Sequence, residues 1–491
     1  MGASSRLHTL STKVSQRFAS LTALQAAWFV LIVSIIERLL LWLIYAPVVY
    51  SDTLTYRRLA EQILLGWPNY DGTRVPGYPL TLAVLGEDGC VYLAQLILGV
   101  LITFLLFYIA WRISSKAWFA ALVALAHTLN LGQLLFEANL LTETISTFLV
   151  VAALAGVIHG LYLPAARRPW LAFLIGAAAG LEILYRPNFV YLPFWLFGWI
   201  VVAWQPEEPP IWRKGKLRAW LGEWVRLIWR FIRRQWLVLS ALTLPVVCLV
   251  LGWMGFIHRT YGDWALSTMT GYHLVQHTGS FFEYVPDEYA ELRDTYLRYR
   301  DERIARSGTQ ANTIWEAIPA MQEAAGLNFY DLSRILARIS LQLIREHPVL
   351  FLRSVAEGWW LFWRVPVYWS PEALHPVLQE LPGVVGVIKA VILLQRLGMF
   401  AANLFFIFTP LVLVIQRRWG YSPSSDGERS RWTWIGLLGA VWLASVVQAF
   451  LDHGDNPRFL VPLQSVVVVW FLYWMWQVGY PGLRALRVKS R

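Results

Sequence analysis

Residues 24–45 read LQAAWFVLIVSIIERLLLWLIY, an almost unbroken apolar run that contains one acid and one base, Glu37 and Arg38. A helix needs roughly 20 predominantly apolar residues to cross the hydrocarbon core of a bilayer, and this run is long enough. Nine similar runs follow it, at 90–113, 117–134, 141–163, 170–185, 189–204, 236–257, 391–415, 432–450 and 460–478. The pattern predicts an all-α polytopic membrane protein with about ten transmembrane helices.

The composition of the 491-residue chain agrees with this prediction. It is 57% hydrophobic and only 15% charged, whereas about a quarter of the residues in a soluble domain are charged. Its 28 Trp and 21 Tyr suit a chain that crosses many membrane–water interfaces, where these side chains collect. The net charge of +11 is divided among short clusters between the apolar runs, so we expect membrane lipids and no nucleic acid as partners.

The basic clusters predict the orientation of the chain. They occupy one alternating set of loops: Arg112 and Lys116; Arg167 and Arg168; eight cations from Arg213 to Arg234; Arg417, Arg418, Arg429 and Arg431; and the tail from Arg484 to Arg491. Cytoplasmic loops carry an excess of Lys and Arg. Ten spans with both termini in the cytoplasm satisfy every basic loop, which predicts a multi-pass protein of the inner or plasma membrane.

Two long segments then fall on the extracytoplasmic side, at 48–89 and 258–390. The second shows helical periodicity and separates an N-terminal transmembrane module, 1–257, from C-terminal helices and a basic tail, 391–491. On the cytoplasmic side, residues 212–234 alternate Trp, Leu and Ile with Arg, which predicts an amphipathic helix on the membrane surface. A topology anchor is the favoured interpretation of that helix.

Charged side chains gather at the predicted outer ends of the helices. They are Asp52 after the first run, Arg74 in the first outer loop, Glu143 at the start of the fourth run, Arg186 at the end of the fifth, and His453, Asp455 and Arg458 in the last outer loop. A charge at membrane depth costs a few kcal/mol unless it is paired or lines a cavity, so this gathering predicts a site. Structural alternatives remain open: the arginines pair with acids, Glu143 complements a helix dipole, and Asp52 caps a helix over 53–65.

Two histidines four residues apart, His273 and His277, offer a possible divalent metal site. On a helix they would share one face, but no third ligand is evident, and surface histidines are the favoured interpretation. The chain has no phosphate-binding P-loop, no H-E-x-x-H motif and no G-x-S-x-G elbow. These absences argue against a nucleotide-driven pump, a zincin and an α/β-hydrolase.

Five short stretches together resemble a known family. They are Ser51-Asp52 with Tyr56, Ala60 and Gly66 following; Arg74-Val75-Pro76-Gly77-Tyr78-Pro79; Leu141-Thr142-Glu143-Thr144; Tyr185-Arg186-Pro187; and a weaker fifth, Asn456-Pro457-Arg458-Phe459-Leu460-Val461-Pro462. In this order the chain resembles the GT-C-type integral-membrane glycosyltransferases, in the branch that contains protein O-mannosyltransferases and lipid A aminoarabinose transferases. The resemblance implies a GT-C-like fold that extends over nearly the whole chain.

The resemblance also implies a reaction. The donor would be a sugar on a polyprenyl phosphate, and the acceptor a hydroxyl of a lipid, glycan or protein on the outer face, with inversion at the sugar. Asp52 would be the general base, and Arg74, Arg186 and Arg458 would bind the donor phosphate, supported by Tyr56, Tyr78, Glu143, His453 and Asp455. Many relatives have two adjacent acids where this chain has Asp52-Thr53. This departure weakens the argument for metal binding at this loop, although a divalent metal ion remains a possible cofactor. It also leaves open whether Glu143, Asp71 or Glu137 supplies a second carboxylate.

Three other functions remain in competition at this point. A lipid-linked-glycan ligase or polymerase would use the same kind of donor. A transporter or flippase would need polar or broken helices near the bilayer midplane, whereas most polar groups here lie at outer helix ends. A non-catalytic scaffold subunit would leave the gathered charges without a purpose. The glycosyltransferase is the favoured prediction.

Overall fold

A computed structural model describes residues 22–204, 217–411, 427–454 and 456–479. These residues are almost entirely helical and contain no β-strand, with two isolated backbone bridges as the exception. The α-helices are α1 (Ala23–Ile44), α2 (Ser51–Leu65), α3 (Gly77–Leu85), α4 (Asp88–Ser114), α5 (Ala117–Thr128), α6 (Leu131–Ala138), α7 (Glu143–Gly160), α8 (Arg168–Tyr185), α9 (Leu192–Ala203), α10 (Leu217–Tyr261), α11 (Thr270–Thr278), α12 (Ala290–Ser307), α13 (Thr313–Ala325), α14 (Phe329–Glu346), α15 (Pro348–Phe362), α16 (Pro376–Glu380), α17 (Val384–Ile407), α18 (Gly427–Leu451) and α19 (Val461–Trp474).

The all-α, multi-pass membrane architecture is confirmed. In the described part of the chain, eight helices are long and apolar enough to cross a bilayer, or nine if a bent pair counts as one span. The eight spans lie where the sequence predicts them. The apolar run at 189–204 is covered by a shorter helix, Pro187–Ala203. Residues 412–415, at the end of the eighth predicted span, lie outside the described residues.

The predicted span 117–134 is not one straight helix. It consists of α5 and α6, which meet at an angle of 55°. The break follows from Asn130, whose side-chain oxygen accepts a hydrogen bond from the backbone N–H of Gln133 at 3.3 Å and caps α6. An asparagine that caps a new helix competes with continuation of the old one.

A buried ion pair holds this bent helix against the first span. Arg38 donates to both carboxylate oxygens of Glu137, at 2.8 and 2.6 Å, and also to the hydroxyls of Ser34 and Thr128. Gly99 of α4 faces the Glu137 carboxylate so closely that a Cβ there would lie 2.2 Å from an oxygen. Arg38 of the first span is therefore paired with a neighbouring helix, and Glu137 is committed to this ion pair.

Helix α10 joins the predicted amphipathic segment to the seventh span. Its backbone leaves helical geometry at Gln235, which separates the two parts. In the first part, Leu227 and Phe231 are buried against the rest of the protein, whereas Val225 and Trp229 are exposed beside Arg226 and Arg230. The amphipathic pattern is thus present over residues 225–231, and residues 212–216 of the predicted segment lie outside the described residues.

The segment between α10 and α17 folds around a core of its own, built by α11 to α15. Its fully buried side chains include Tyr272, Phe282, Tyr296, Leu336 and Leu343. After α15 the chain returns to the membrane helices along residues 364–375. The predicted boundaries after 257 and 390 both fall inside helices, because α10 runs to Tyr261 and α17 begins at Val384.

Candidate active site at the helix ends

Asp52 lies in the first turn of α2, directly after the first span. The N-cap is Tyr50 and the helix begins at Ser51, so the alternative in which Asp52 caps a helix over 53–65 is wrong. The capping is done by Thr53, whose hydroxyl accepts from the Tyr50 N–H at 3.0 Å and donates to the Leu140 carbonyl at 2.8 Å. The Asp52 carboxylate therefore does not cap the helix and contacts other residues.

Those partners are two arginines. Arg74 Nη2 lies 3.0 Å from Asp52 Oδ1, and Arg458 Nη1 lies 2.9 Å from Asp52 Oδ2. The Asp52 side chain is 25% exposed. Burial acts to raise the pKa of this carboxyl, but the charges of Arg74 and Arg458 outweigh burial and hold the pKa below its ordinary value. Asp52 is therefore ionised at neutral pH and accessible from one side.

The loop before α3 brings Arg74 to this position. Its backbone is held by the hydroxyl of Tyr70, which donates to the Arg74 carbonyl at 3.0 Å. Pro76 and Gly77 then start α3 against the end of α8, where a Cβ on Gly77 would lie 2.4 Å from the Leu184 carbonyl oxygen. Only glycine permits this contact, which draws the Arg74 loop toward the end of α8 that carries Arg186.

A second carboxylate, Glu143, lies at the centre of the cluster. It is the first residue of α7 and is fully buried. Arg458 Nε donates to Glu143 Oε1 at 2.7 Å, and Arg186 Nη1 lies 3.5 Å from the same oxygen. Arg458 therefore bridges the two carboxylates. Of the three acids considered for a second carboxylate, Glu143 is the one at this site, because Asp71 pairs with Arg58 at 2.6 Å and Glu137 with Arg38.

Aromatic rings cover the guanidinium groups. The Tyr56 ring lies 5.8 Å from Arg74, the Phe459 ring 5.2 Å from Arg186, and the Tyr368 ring 5.2 Å from Arg458. Tyr78 packs edge-on against Tyr56 with centroids 5.1 Å apart, and its hydroxyl donates to Gln95. Tyr56 therefore lies beside the cluster, and Tyr78 packs behind it. Such cation–π contacts orient a guanidinium without neutralising its charge.

Some buried polar atoms of the cluster have no hydrogen-bond partner among the described residues. They are two N–H donors, Arg74 Nε and Arg186 Nη1, and one carboxylate oxygen, Glu143 Oε2. Buried donors are nearly always satisfied in folded proteins, so an anionic ligand with several acceptor oxygens suits this arrangement.

The remaining predicted residues lie elsewhere. His453 stacks on His277 with centroids 5.5 Å apart, in a separate cluster between α11 and the last outer loop, and Asp455 lies outside the described residues. Burial lowers the pKa of His277 to about 4. His273 faces Asp452 at 3.6 Å. In the part of the chain that the structure describes, no group of three metal-ligating side chains is found, so the third ligand for His273 and His277 is still missing.

Sequence reasoning missed two residues of the site. Tyr368 belongs to no motif and comes from the segment that follows α15. Tyr50 precedes the Asp52 motif, and its ring packs on that of Tyr368 with centroids 5.3 Å apart.

No protein family, curated protein or solved structure matches this chain. The geometry of the site and the motif resemblance are therefore the two observations that bear on function.

Proposed function

We propose that the chain is a membrane glycosyltransferase that moves a sugar from a polyprenyl-phosphate donor to an acceptor hydroxyl on the extracytoplasmic face. The observation that carries the proposal is the convergence of Asp52, Arg74, Glu143, Arg186 and Arg458 on one cluster, in which two buried N–H donors of the arginines have no acceptor among the described residues. A set of ion pairs that only fastened helix ends together would not need such donors.

The donor phosphate is the anion that this cluster suits best. Arginine forms bidentate hydrogen bonds to phosphate oxygens, and a phosphate whose lipid chain lies in the membrane would arrive at this depth. Arg186 is the best placed of the three arginines, because it is 6% exposed and has a donor to spare. When the phosphate departs from the sugar, its developing charge is stabilised by the same groups.

The carboxylate of Asp52 is suited to the role of general base. It is ionised at neutral pH and partly exposed, so it is able to accept a proton from an incoming hydroxyl. The acceptor oxygen forms a bond to the anomeric carbon while the bond from that carbon to the phosphate oxygen breaks. The electron pair remains on the lipid phosphate, and the acceptor proton passes to Asp52. Attack opposite the leaving group inverts the anomeric centre.

The proposed orientation follows from the positive-inside rule. Ten spans, with the bent α5–α6 pair and the short Pro187–Ala203 helix counted among them, leave both termini in the cytoplasm and the cluster on the outer side. The enzyme would then belong to the inner or plasma membrane, and its acceptor to the lipids, glycans or proteins outside it. A ligase or polymerase for lipid-linked glycans would use the same site with a longer acceptor.

One observation favours a transporter as the second candidate. The bent α5–α6 pair and the buried Arg38–Glu137 ion pair resemble the broken, polar helices that line transport pathways. The two functions differ in what the protein does with the donor. A transporter leaves the bond between sugar and phosphate intact, whereas the transferase breaks it and releases polyprenyl phosphate.

Donor recognition tests the proposal directly. Purified protein in nanodiscs is titrated with a polyprenyl phosphate and, as the matched control, with the neutral polyprenol of the same chain length. We expect the phosphate to bind at least 10-fold more tightly, since a hydrogen bond to a charged group contributes about 1.5–3 kcal/mol. Equal affinity for the two lipids would contradict a phosphate site.

A further inference from the structure

A strap of residues 364–375 connects the outer helices to the site. Its backbone is fixed to the outer end of α1 at three points: the Ala46 N–H donates to the Ala373 carbonyl, the His375 N–H to the Ile44 carbonyl, and the Ser370 N–H to the Tyr45 hydroxyl, each at 2.8 Å. The Asn139 side chain donates to the Tyr368 carbonyl at 3.0 Å. The strap is therefore a fixed part of the membrane module.

The strap contributes one side chain to the charged cluster. The Tyr368 ring covers the Arg458 guanidinium at 5.2 Å. It is wedged between two other rings, Tyr50 at 5.3 Å and Phe136 at 5.4 Å, measured between centroids. Because these neighbours and the backbone anchors fix the ring, its position does not depend on Arg458.

Arg458 is thereby constrained from three directions. Its Nε is held by Glu143, its Nη1 by Asp52, and the face of its guanidinium by the Tyr368 ring. The two carboxylates hold the edges of the Arg458 guanidinium. When a ligand enters, either carboxylate can pair with another cation in place of Arg458. The ring contact persists through such an exchange, because it requires no hydrogen bond.

We propose that Tyr368 is a positioning residue that keeps Arg458 oriented toward the donor phosphate, so that the outer segment forms part of the donor site. The inference rests on the proposed function. A cation–π contact at a partly buried site corresponds to an affinity change of about 2- to 30-fold. The loss of the ring should appear in donor affinity, while the loss of the hydroxyl alone should not.

The test is the affinity of nanodisc-embedded variants for polyprenyl phosphate. We expect Tyr368→Leu to raise Kd by about 2- to 30-fold and Tyr368→Phe to keep it within 2-fold. Tyr162→Leu is the matched control, because the Tyr162 ring covers a different guanidinium, that of Arg112, at 4.2 Å. Should Tyr368→Leu fail to insert, Tyr368→Met gives the same comparison, and the thermal melt of each variant verifies its folding.

A second arm separates positioning from a general structural effect. In an Arg458→Met background, Tyr368→Leu should change Kd no further, because the contact it removes is already gone. An unchanged Kd for Tyr368→Leu, an equal loss in Tyr368→Phe, or the same additional loss in the Arg458→Met background would each overturn the proposal. If the wild-type protein does not distinguish polyprenyl phosphate from polyprenol, the proposed function fails first, and this role for Tyr368 fails with it.

Discussion

Arg186 and Arg458 both contact Glu143, yet they differ in what their removal would expose. Arg458 is the nearer partner of the fully buried Glu143 and also binds Asp52, so Arg458→Ala leaves a buried carboxylate short of its main partner. Breaking a buried pair in this way typically costs 3–5 kcal/mol. Arg186 lies 3.5 Å from Glu143 and keeps an unsatisfied donor, so its removal disturbs the protein less.

We therefore expect Arg186→Ala to insert and melt nearly as the wild type does while losing donor recognition. The donor KM should rise or kcat fall by about 10- to 100-fold, which corresponds to the loss of a charged hydrogen bond. Steady-state transfer kinetics measure this effect. The control is Arg57→Ala, which removes an arginine that pairs with Asp88 at the outer surface. Wild-type kinetics in Arg186→Ala would remove this residue from the donor site.

The charged residues of the site could be predicted individually from sequence, but their pairing could not. Asp52, Glu143 and Arg458 are recognisable in the sequence because they are charged residues at the ends of apolar runs. Their contacts join residues up to 406 positions apart, and only the helix packing decides which arginine meets which acid. Tyr368 gave no signal at all, because an aromatic residue in a loop is common and its value here comes entirely from the guanidinium beneath it.

Glycine contacts decide how the elements approach one another. Gly77 at the start of α3 lies against the last turn of α8, where a Cβ would meet the Leu184 carbonyl oxygen at 2.4 Å. That oxygen belongs to the backbone and has no rotamer with which to move away. Gly77→Ala must therefore separate the two helices and carry Arg74 away from Arg186.

We expect Gly77→Ala to destabilise the protein by about 1–3 kcal/mol and to lower transfer as well. A thermal melt and a transfer assay on the same preparation measure the two effects. Gly252→Ala serves as the control, since no atom lies within 4 Å of a Cβ built on Gly252 in α10. A Gly77→Ala variant that melts and transfers like the wild type would show that the close approach of α3 to α8 is wrong.

A histidine pair joins α11 of the outer segment to the last outer loop. The rings of His277 and His453 stack, and the Ser354 hydroxyl lies 3.0 Å from His277 Nδ1. Burial and the neighbouring His453 lower the pKa of His277 to about 4, although Asp452 acts in the opposite direction. In the unfolded chain the pKa of histidine is about 6.5, so between these values the unfolded chain binds more protons.

Stability should consequently rise with pH through this window. The contribution of His277 is complete above about pH 6.5 and declines as the pH falls toward 4, by up to about 3 kcal/mol. Thermal melts from pH 4 to 8 measure the slope, which His277→Gln should flatten. His258→Gln is the control, because His258 is exposed. An identical slope in His277→Gln and the wild type would contradict a buried neutral His277.

The long spans can be predicted from the sequence, because length and apolarity suffice to identify them. The bend between α5 and α6 was missed because an apolar count does not register one capping residue, Asn130. The strap after α15 is not predictable in this way, since two of its three anchors to the end of α1 join backbone groups, which no side-chain pattern encodes.

At the scale of the whole molecule, the distribution of basic residues predicts on which side of the membrane the site lies. If the basic loops face the cytoplasm, the Asp52 cluster and α11 to α15 lie outside. Two exposed positions allow a test of this prediction: Ser307 at the end of α12, and Ala166 in the loop before α8.

Single cysteines at these positions report the orientation. In a Cys90→Ser, Cys248→Ser background, Ser307→Cys should react with a membrane-impermeant thiol reagent on intact cells, and Ala166→Cys should react only after permeabilisation. The charge rule is the reason for this expectation. The opposite labelling pattern would invert the topology and place the site on the cytoplasmic side.

The fold class of the whole molecule was accessible from composition and apolar runs, because the bilayer allows a chain of this kind few solutions. The reaction is a different matter, since it depends on angstrom-scale placement of a few charges. The motif resemblance suggested the residues, and the structure adds their convergence and the unsatisfied N–H donors of Arg74 and Arg186, which favour a phosphate ligand.

Asp52→Asn in a transfer assay is the most direct test of the proposed glycosyltransferase mechanism. Purified protein in nanodiscs receives a panel of polyprenyl-phosphate sugars, and released polyprenyl phosphate is quantified beside a thermal melt. The matched control is Asp88→Asn, because Asp88 is also a first-turn aspartate that pairs with an arginine, at the start of α4. We predict that the wild type and Asp88→Asn release lipid phosphate from at least one donor, and that Asp52→Asn folds but is about 10²- to 10⁴-fold slower. Release by Asp52→Asn at the wild-type rate would contradict the role of Asp52 as general base. No release from any donor by the wild type would contradict the proposed function.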